Sequence, residues 1–430
     1  MDHCKARLHT SAITDEVLFA TNNHTHGSDT AGIAVEKIKN QLKKRAVESV
    51  ETPAQLLSTA LAGTSTAVQG QIRPDAMRKI VQRKRRNFQR IPPCPLDLKS
   101  LVLPESYTQY RISDDETILF LLGDTGNNDE SRILLFGRED AKEWSHLMKK
   151  IYIDGTFKLA PPLFEQVFVI LVERERFVFP VLYALLPNKR ETTYCSLFRL
   201  IKTVWPNFEP ESVSVDYEMA IINAVTEHFP TAAIRGCLFH LAQNIKRKLG
   251  REHLLAQYNR DADFALKARM IVALAFVPID HLEDVVQRLY SQLPESLQAV
   301  LEWFEANYIG RINRNANRSN PLFSPHVWSV HERVLSGENR TNNYAEAAHR
   351  VLQSELDICH PSIWKFIDGL RVIQKKRDAH YAAYLNGVQP PYKRRKYQEA
   401  DARLAEIVRQ FSKRTTFEYL TGIANNFLMP

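Results

Sequence analysis

Ile151-Tyr152-Ile153-Asp154-Gly155-Thr156-Phe157-Lys158 is an apolar run that ends on an acid. Two further apolar runs follow at once, residues 164–173 and 177–186, rich in Val, Ile, Leu and Phe. Each has the length of a strand rather than of a helix. Three such strands with short connections predict an antiparallel meander whose first strand carries a carboxylate near its end. The period then changes. Leu197, Leu200, Ile201 and Val204 recur at i, i+3, i+4 and i+7, after Thr192 and Thr193 as candidate caps. Ser212-Val213-Ser214-Val215 is a short strand that ends on Asp216. A helix with Ile221, Ile222 and Val225 on one side follows, and Ala232-Ala233-Ile234 is a fifth strand. The order β-β-β-α-β-α-β describes an α/β core with a mixed sheet. It puts two carboxylates, Asp154 and Asp216, at strand ends.

Composition narrows the classes. The chain has 430 residues, 44% of them hydrophobic, enough to bury a sizeable core in more than one domain. No run of about 18 apolar residues predicts a membrane span, and Met1-Asp2-His3-Cys4-Lys5 does not open a secretory signal. Five scattered cysteines argue against a disulfide framework and for a reducing compartment. The net charge of +8 is partly gathered into Lys43-Lys44-Arg45, Arg83-Lys84-Arg85-Arg86 and Lys393-Arg394-Arg395-Lys396. Such runs suit phosphate contacts or nuclear import, and they equally suit solvated helix faces.

Four motifs stand in order: Asp154-Gly155-Thr156-Phe157; Asp216 with Glu218 and Ala220; Cys237-Leu238-Phe239-His240; and Thr341-Asn342-Asn343-Tyr344-Ala345-Glu346. Together they resemble the transposase domain of Mutator-like elements (MULE), over roughly residues 150–356. The resemblance implies a ribonuclease-H-like fold: a mixed five-stranded sheet with an all-α insertion, flanked by helical N- and C-terminal regions. It also implies an Asp-Asp-Glu triad of Asp154, Asp216 and Glu346, with Cys237 and His240 as a family motif. Phosphoryl transfer of this kind uses two ions about 3.5–4 Å apart, held mainly by carboxylates on a rigid frame. Mg²⁺ or Mn²⁺ is the expected cofactor, DNA the partner, a homo-oligomer the assembly and the nucleus the place of action.

Each motif residue has an ordinary alternative. Asp154-Gly155 is also a hairpin-turn pair. Asp216 also suits an N-cap for a helix beginning at Tyr217. Asn343 with Glu346 has capping-box spacing. Glu218 reads as a first-turn dipole partner, and His349, one turn after Glu346, as a partner of the triad. Cys237 and His240 share a helix face. A buried Cys beside a satisfied His explains them better than a metal pair does, since a structural zinc wants four ligands.

The remaining chain divides as follows. Residues 1–30 hold Cys4, His24 and His26, and resemble the C-terminal part of a FLYWCH-type zinc finger without its first cysteine. The expectation is a disordered remnant, with Zn²⁺ on Cys4, His24 and His26 as the alternative. Residues 31–92 predict three short helices, the first with Ile33, Ile38, Leu42 and Ala46 on one flank. The last carries Arg78, Lys79, Arg83, Lys84, Arg85, Arg86 and Arg90, a candidate DNA-binding set. Pro92-Pro93-Cys94-Pro95 is a stiff linker. Residues 93–149 predict a β-hairpin and helix serving as an adaptor, and 150–240 the first part of the core. Residues 241–335 are the helical insertion, 336–358 the last catalytic helix, and 359–430 a helical C-terminal region.

Overall fold

The structure, a computed structural model, describes residues 4–429 except 12, 13, 15, 22, 23, 25, 26, 28, 50, 90, 91, 313–316, 357, 358 and 391–393. Two compact units emerge, Met1–Pro93 and Cys94–Pro430.

The first unit opens on strands β1 (Arg7–Thr10) and β2 (Val17–Thr21), paired antiparallel. This corrects the expectation of a disordered remnant. His9 lies opposite Phe19, their rings edge-to-face at 5.6 Å, and cross-strand ring pairs of this kind hold a short hairpin together. Four helices follow rather than three: Thr30–Glu48, Pro53–Leu61, Thr66–Gln71 and Pro74–Gln89. The third is a six-residue helix whose interior Gly70 hid it from a propensity reading. Asp29 accepts from Gly32 N at 2.7 Å to start the first helix, and Thr52 with Gln55 forms a capping box on the second. The buried face of the first helix is Val35, Ile38, Leu42 and Ala46; Ile33 is exposed. These residues pack with Leu56, Leu57, Val68, Met77 and Val81 into one small core.

In the second unit a short helix, Glu105–Thr108, leads into a small ribbon, β3 (Gln109–Arg111) against β4 (Thr117–Leu119). Its centre is a seven-stranded sheet containing β5 (Leu121–Asp124), β6 (Leu134–Gly137), β7 (Lys150–Thr156), β8 (Gln166–Arg174), β9 (Phe177–Leu186), β10 (Ser212–Val215) and β11 (Ala233–Gly236). The order across the sheet is β11-β10-β7-β8-β9-β6-β5. The β7-β8-β9 meander is antiparallel, while β10 runs parallel to β7 and β11 parallel to β10. The expected five strands are therefore all present, but the sheet has seven. The hairpin expected as an adaptor pairs β6 with β9, Leu135 opposite Ala184, and so extends the sheet. Every residue of β6 is buried, which leaves that strand no solvent face and makes it part of the core. Seven successive residues of β8 are buried for the same reason: both faces of the sheet are covered.

Helix Glu191–Val204 starts without a side-chain cap. Arg190 occupies the cap position, and Thr193 instead donates to Asn188 Oδ1 at 2.7 Å. The insertion is helical as expected, running from Leu238–Arg251 to His331–Leu335. Helix Asn343–Leu356 then returns to pack on β7 and β8. The C-terminal helices do not form a separate body. Leu404, Tyr419 and Ile423 share one core with Phe276 of the insertion and Ile153 of β7. His380, Tyr381 and Tyr384 pack their rings on Phe179 of β9.

Candidate functional site

Strand register brings the two aspartates together. Ser212, Val213 and Ser214 of β10 lie opposite Lys150, Ile151 and Tyr152 of β7. Asp216 directly follows β10, and its charge acts on Asp154 near the end of β7. Gly155 is not a turn residue. It lies inside β7 opposite Phe168, and a Cβ there would stand 2.2 Å from Gln166 Oε1. Asp216 caps no helix either, because the next helix starts at Met219 with Glu218 as its cap residue.

Glu346 reaches the same place from the first turn of helix Asn343–Leu356. Its carboxylate makes no hydrogen bond among the described residues, so the capping-box alternative is not what holds it. Its negative charge is felt at Asp154. One turn later, His349 brings Nδ1 within 3.4 Å of Asp154 Oδ2.

The helix is fastened by Asn342, which is wholly buried. Asn342 Nδ2 donates to Ile153 O at 3.0 Å, and its backbone N–H donates to Cys237 Sγ at 3.1 Å. Leu238 N donates to Arg340 O at 2.9 Å. Arg333, also buried, donates to Gly236 O at 2.9 Å and to Asn339 O. Cys237 and His240 thus act as lashings. The thiol holds the segment leading to Glu346, and His240 Nδ1 lies 2.6 Å from Asp216 Oδ1. That contact is close in distance but poorly aligned, for neither atom has a hydrogen-bond partner of proper geometry.

Electrostatics follow from this crowding. Burial, then the charge of Asp216, pushes the Asp154 carboxyl up to about 7, with Glu346 adding and His240 and the Gly155 N–H opposing. Burial alone would lower His240, but its contacts with Asp216 and Cys237 override it and lift the imidazole to about 10. Burial takes His349 down to about 4, against the pull of Asp216. At neutral pH His240 is cationic and His349 neutral.

Residues 150–244 match the family model of the MULE transposase domain. No curated protein matches the chain. The MULE match spans β7 through the start of helix Leu238–Arg251, and so includes Asp154, Asp216, Cys237 and His240. Glu346 lies outside it, as does the whole first unit.

Other residues singled out in the sequence fall in three groups. Glu218 stands apart from Asp154, Asp216 and Glu346, accepting from Tyr194 OH at 3.1 Å and pairing with Lys189 at 3.2 Å. In the first unit, Cys4 Sγ and His24 Nδ1 approach to 3.6 Å, while His26 lies outside the described residues. On helix Pro74–Gln89, Arg78, Lys79, Arg83 and Lys84 are exposed. The Arg86 side chain and Arg90 lie outside the described residues. Arg85 corrects the DNA-binding set. Its guanidinium donates to Ala46 O at 2.9 Å, Ser49 O at 2.9 Å and Glu51 O at 2.6 Å. These are carbonyls at and beyond the C-terminus of helix Thr30–Glu48, where a cation is stabilised. Arg85 is a structural clamp, not a free phosphate ligand. The roles of Asn342 and Arg333 were not legible in sequence; only the position of Asn342 inside the Thr341–Glu346 motif hinted at one.

Proposed function

We propose that this chain is a MULE-type DNA transposase that cuts phosphodiester bonds at element ends and joins those ends to target DNA. Asp154, Asp216 and Glu346 are its triad. The observation that carries the reading is Asp154, a buried acid beside the charges of Asp216 and Glu346, which arrive on two other elements. A desolvated carboxylate whose ionisation is opposed by neighbouring negative charges is unfavourable alone, and a cation relieves it. The sheet order, an antiparallel meander with two parallel strands beyond its first member, supports a ribonuclease-H-like fold.

The donors fit hard divalent ions. Asp216 Oδ1, Asn342 Oδ1 and His349 Nε2 are buried without a hydrogen-bond partner, and carboxylate oxygens suit Mg²⁺ or Mn²⁺. Two such ions, when bound, supply an activated water and stabilise the leaving oxygen. Asp154 and Asp216 hold them from neighbouring strand ends and Glu346 holds them from the helix. His349 orients Asp154. In the first step the water oxygen bonds to phosphorus as the phosphorus–O3′ bond breaks, freeing a 3′-hydroxyl. That hydroxyl then attacks a target phosphate, and the target's own O3′ leaves. Arg78, Lys79, Arg83 and Lys84 hold DNA phosphates, the enzyme works as a homo-oligomer, and the basic runs direct it to the nucleus.

A second reading, a catalytically silent DNA-binding regulator derived from a transposase, is favoured by two observations. Among the described residues the triad oxygens do not all lie within 4.8 Å of one another, and cationic His240 already sits against Asp216. Purified protein decides between the two. Mn²⁺-dependent nicking of DNA, lost in Asp154→Asn and Glu346→Gln, supports the transposase. Equal nicking by all three proteins refutes the triad, and no nicking by any of them, with DNA binding intact, supports the regulator.

A further inference from the structure

Away from the triad, helices Glu191–Val204 and Met219–His228 pack side by side. Cys195, Glu227 and His228 each present a ligand atom there, all within 4.8 Å of one another, and no other described His, Cys, Asp or Glu residues form such a group of three. We propose that Cys195, Glu227 and His228 form a binding site for a divalent ion of the zinc class, which pins these two helices together.

Three features argue for it. Cys195 Sγ lies 3.4 Å from Glu227 Oε2. A tetrahedral zinc with sulfur at about 2.3 Å and oxygen at about 2.0 Å holds those two ligands about 3.5 Å apart. His228 Nδ1 lies 3.1 Å from Ala224 O. The same Nδ1 lies 4.0 Å from Glu227 Oε1, so this edge of the ring faces the Glu227 carboxylate. Glu191 stands one helical turn before Cys195, where Asn223 Nδ2 fixes its carboxylate at 2.7 Å. A thiol, an imidazole and one or two carboxylates make a borderline-soft donor set, which selects zinc-class ions over magnesium. Three protein ligands leave a fourth position for water or Glu191.

The test is Co²⁺ titration of the full chain, in a Cys4→Ser background because Cys4 and His24 are themselves in contact. One equivalent should give an intense thiolate-to-cobalt absorption with tetrahedral visible bands, bleached by Zn²⁺. Cobalt on the triad carboxylates would show no thiolate band. Cys195→Ser should abolish that band. Glu227→Gln should weaken affinity by about tenfold or more, and because the Glu227 side chain is 61% exposed this change leaves the fold intact. A folded protein without the band overturns the proposal. So does a band that survives Cys195→Ser, or an affinity unchanged by Glu227→Gln.

Discussion

Asp154→Asn probes the energetics of the site directly. In the folded chain the Asp154 carboxyl titrates at about 7 against an ordinary 3.8. Its folded value lies above its unfolded one. Its stabilising contribution is therefore complete below pH 3.8 and lost as pH rises through 7. A gap of about three pH units corresponds to about 4 kcal/mol of stability lost across that window. His349 works the other way. Its value drops from 6.5 to about 4, so its contribution is present above 6.5 and lost as pH falls through 4. In chelator, the wild-type slopes oppose each other up to about pH 6.5. The Asn variant keeps the His349 slope and gains stability with pH up to about 6.5, above which His240, lifted to about 10, loses stability as pH rises in both proteins. Urea unfolding followed by tryptophan fluorescence is the assay, because all five tryptophans lie in the second unit. The wild-type minus variant difference should fall by about 4 kcal/mol between pH 4 and 8. Saturating Mn²⁺ should then restore the wild type above pH 7, since a metal requires the deprotonated carboxylate. Parallel wild-type and variant curves throughout would refute the argument that Asp154 is buried among like charges.

Three further outcomes are expected. Arg85→Ala removes donors from three carbonyls and should destabilise the first unit by about 1–3 kcal/mol, read by circular dichroism melting, whereas exposed Arg83→Ala should stay within about 0.5 kcal/mol. Gly236→Ala places a Cβ 2.6 Å from Tyr217 Oη beside Asp216; it should cost about 1–3 kcal/mol by overpacking, and Tyr217→Phe, which deletes a buried hydroxyl without a partner, should recover part of that in urea titrations. DNA affinity should fall as salt rises, and removing Lys79, Arg83 and Lys84 together should lower the slope of log K against log salt by about three, while Arg85→Ala should leave the slope of the folded protein unchanged.

Much of the sheet-bearing second unit was written in local pattern. Ile151, Tyr152 and Ile153 make a strand whatever surrounds them, since no helical period fits the run. An acid after such a run sits at a strand end, so Asp154 and Asp216 were visible as a pair before any fold was known. Helical periodicity likewise exposed the insertion and the helix that carries Glu346. What one-dimensional pattern lacks is pairing. That β6 joins β9, making seven strands of an expected five, depends on which edge was left open, and the residues of an adaptor hairpin and of a sheet extension look alike. Arg85 has the same side chain as Arg83. Only the approach of the first helix's C-terminal carbonyls makes it a clamp. Whether Glu346 capped its own helix or faced Asp154 was undecidable from spacing, because both need it in the first turn. The distant anchor decided it: Asn342, buried between Ile153 and Cys237, turns that turn of helix toward the sheet.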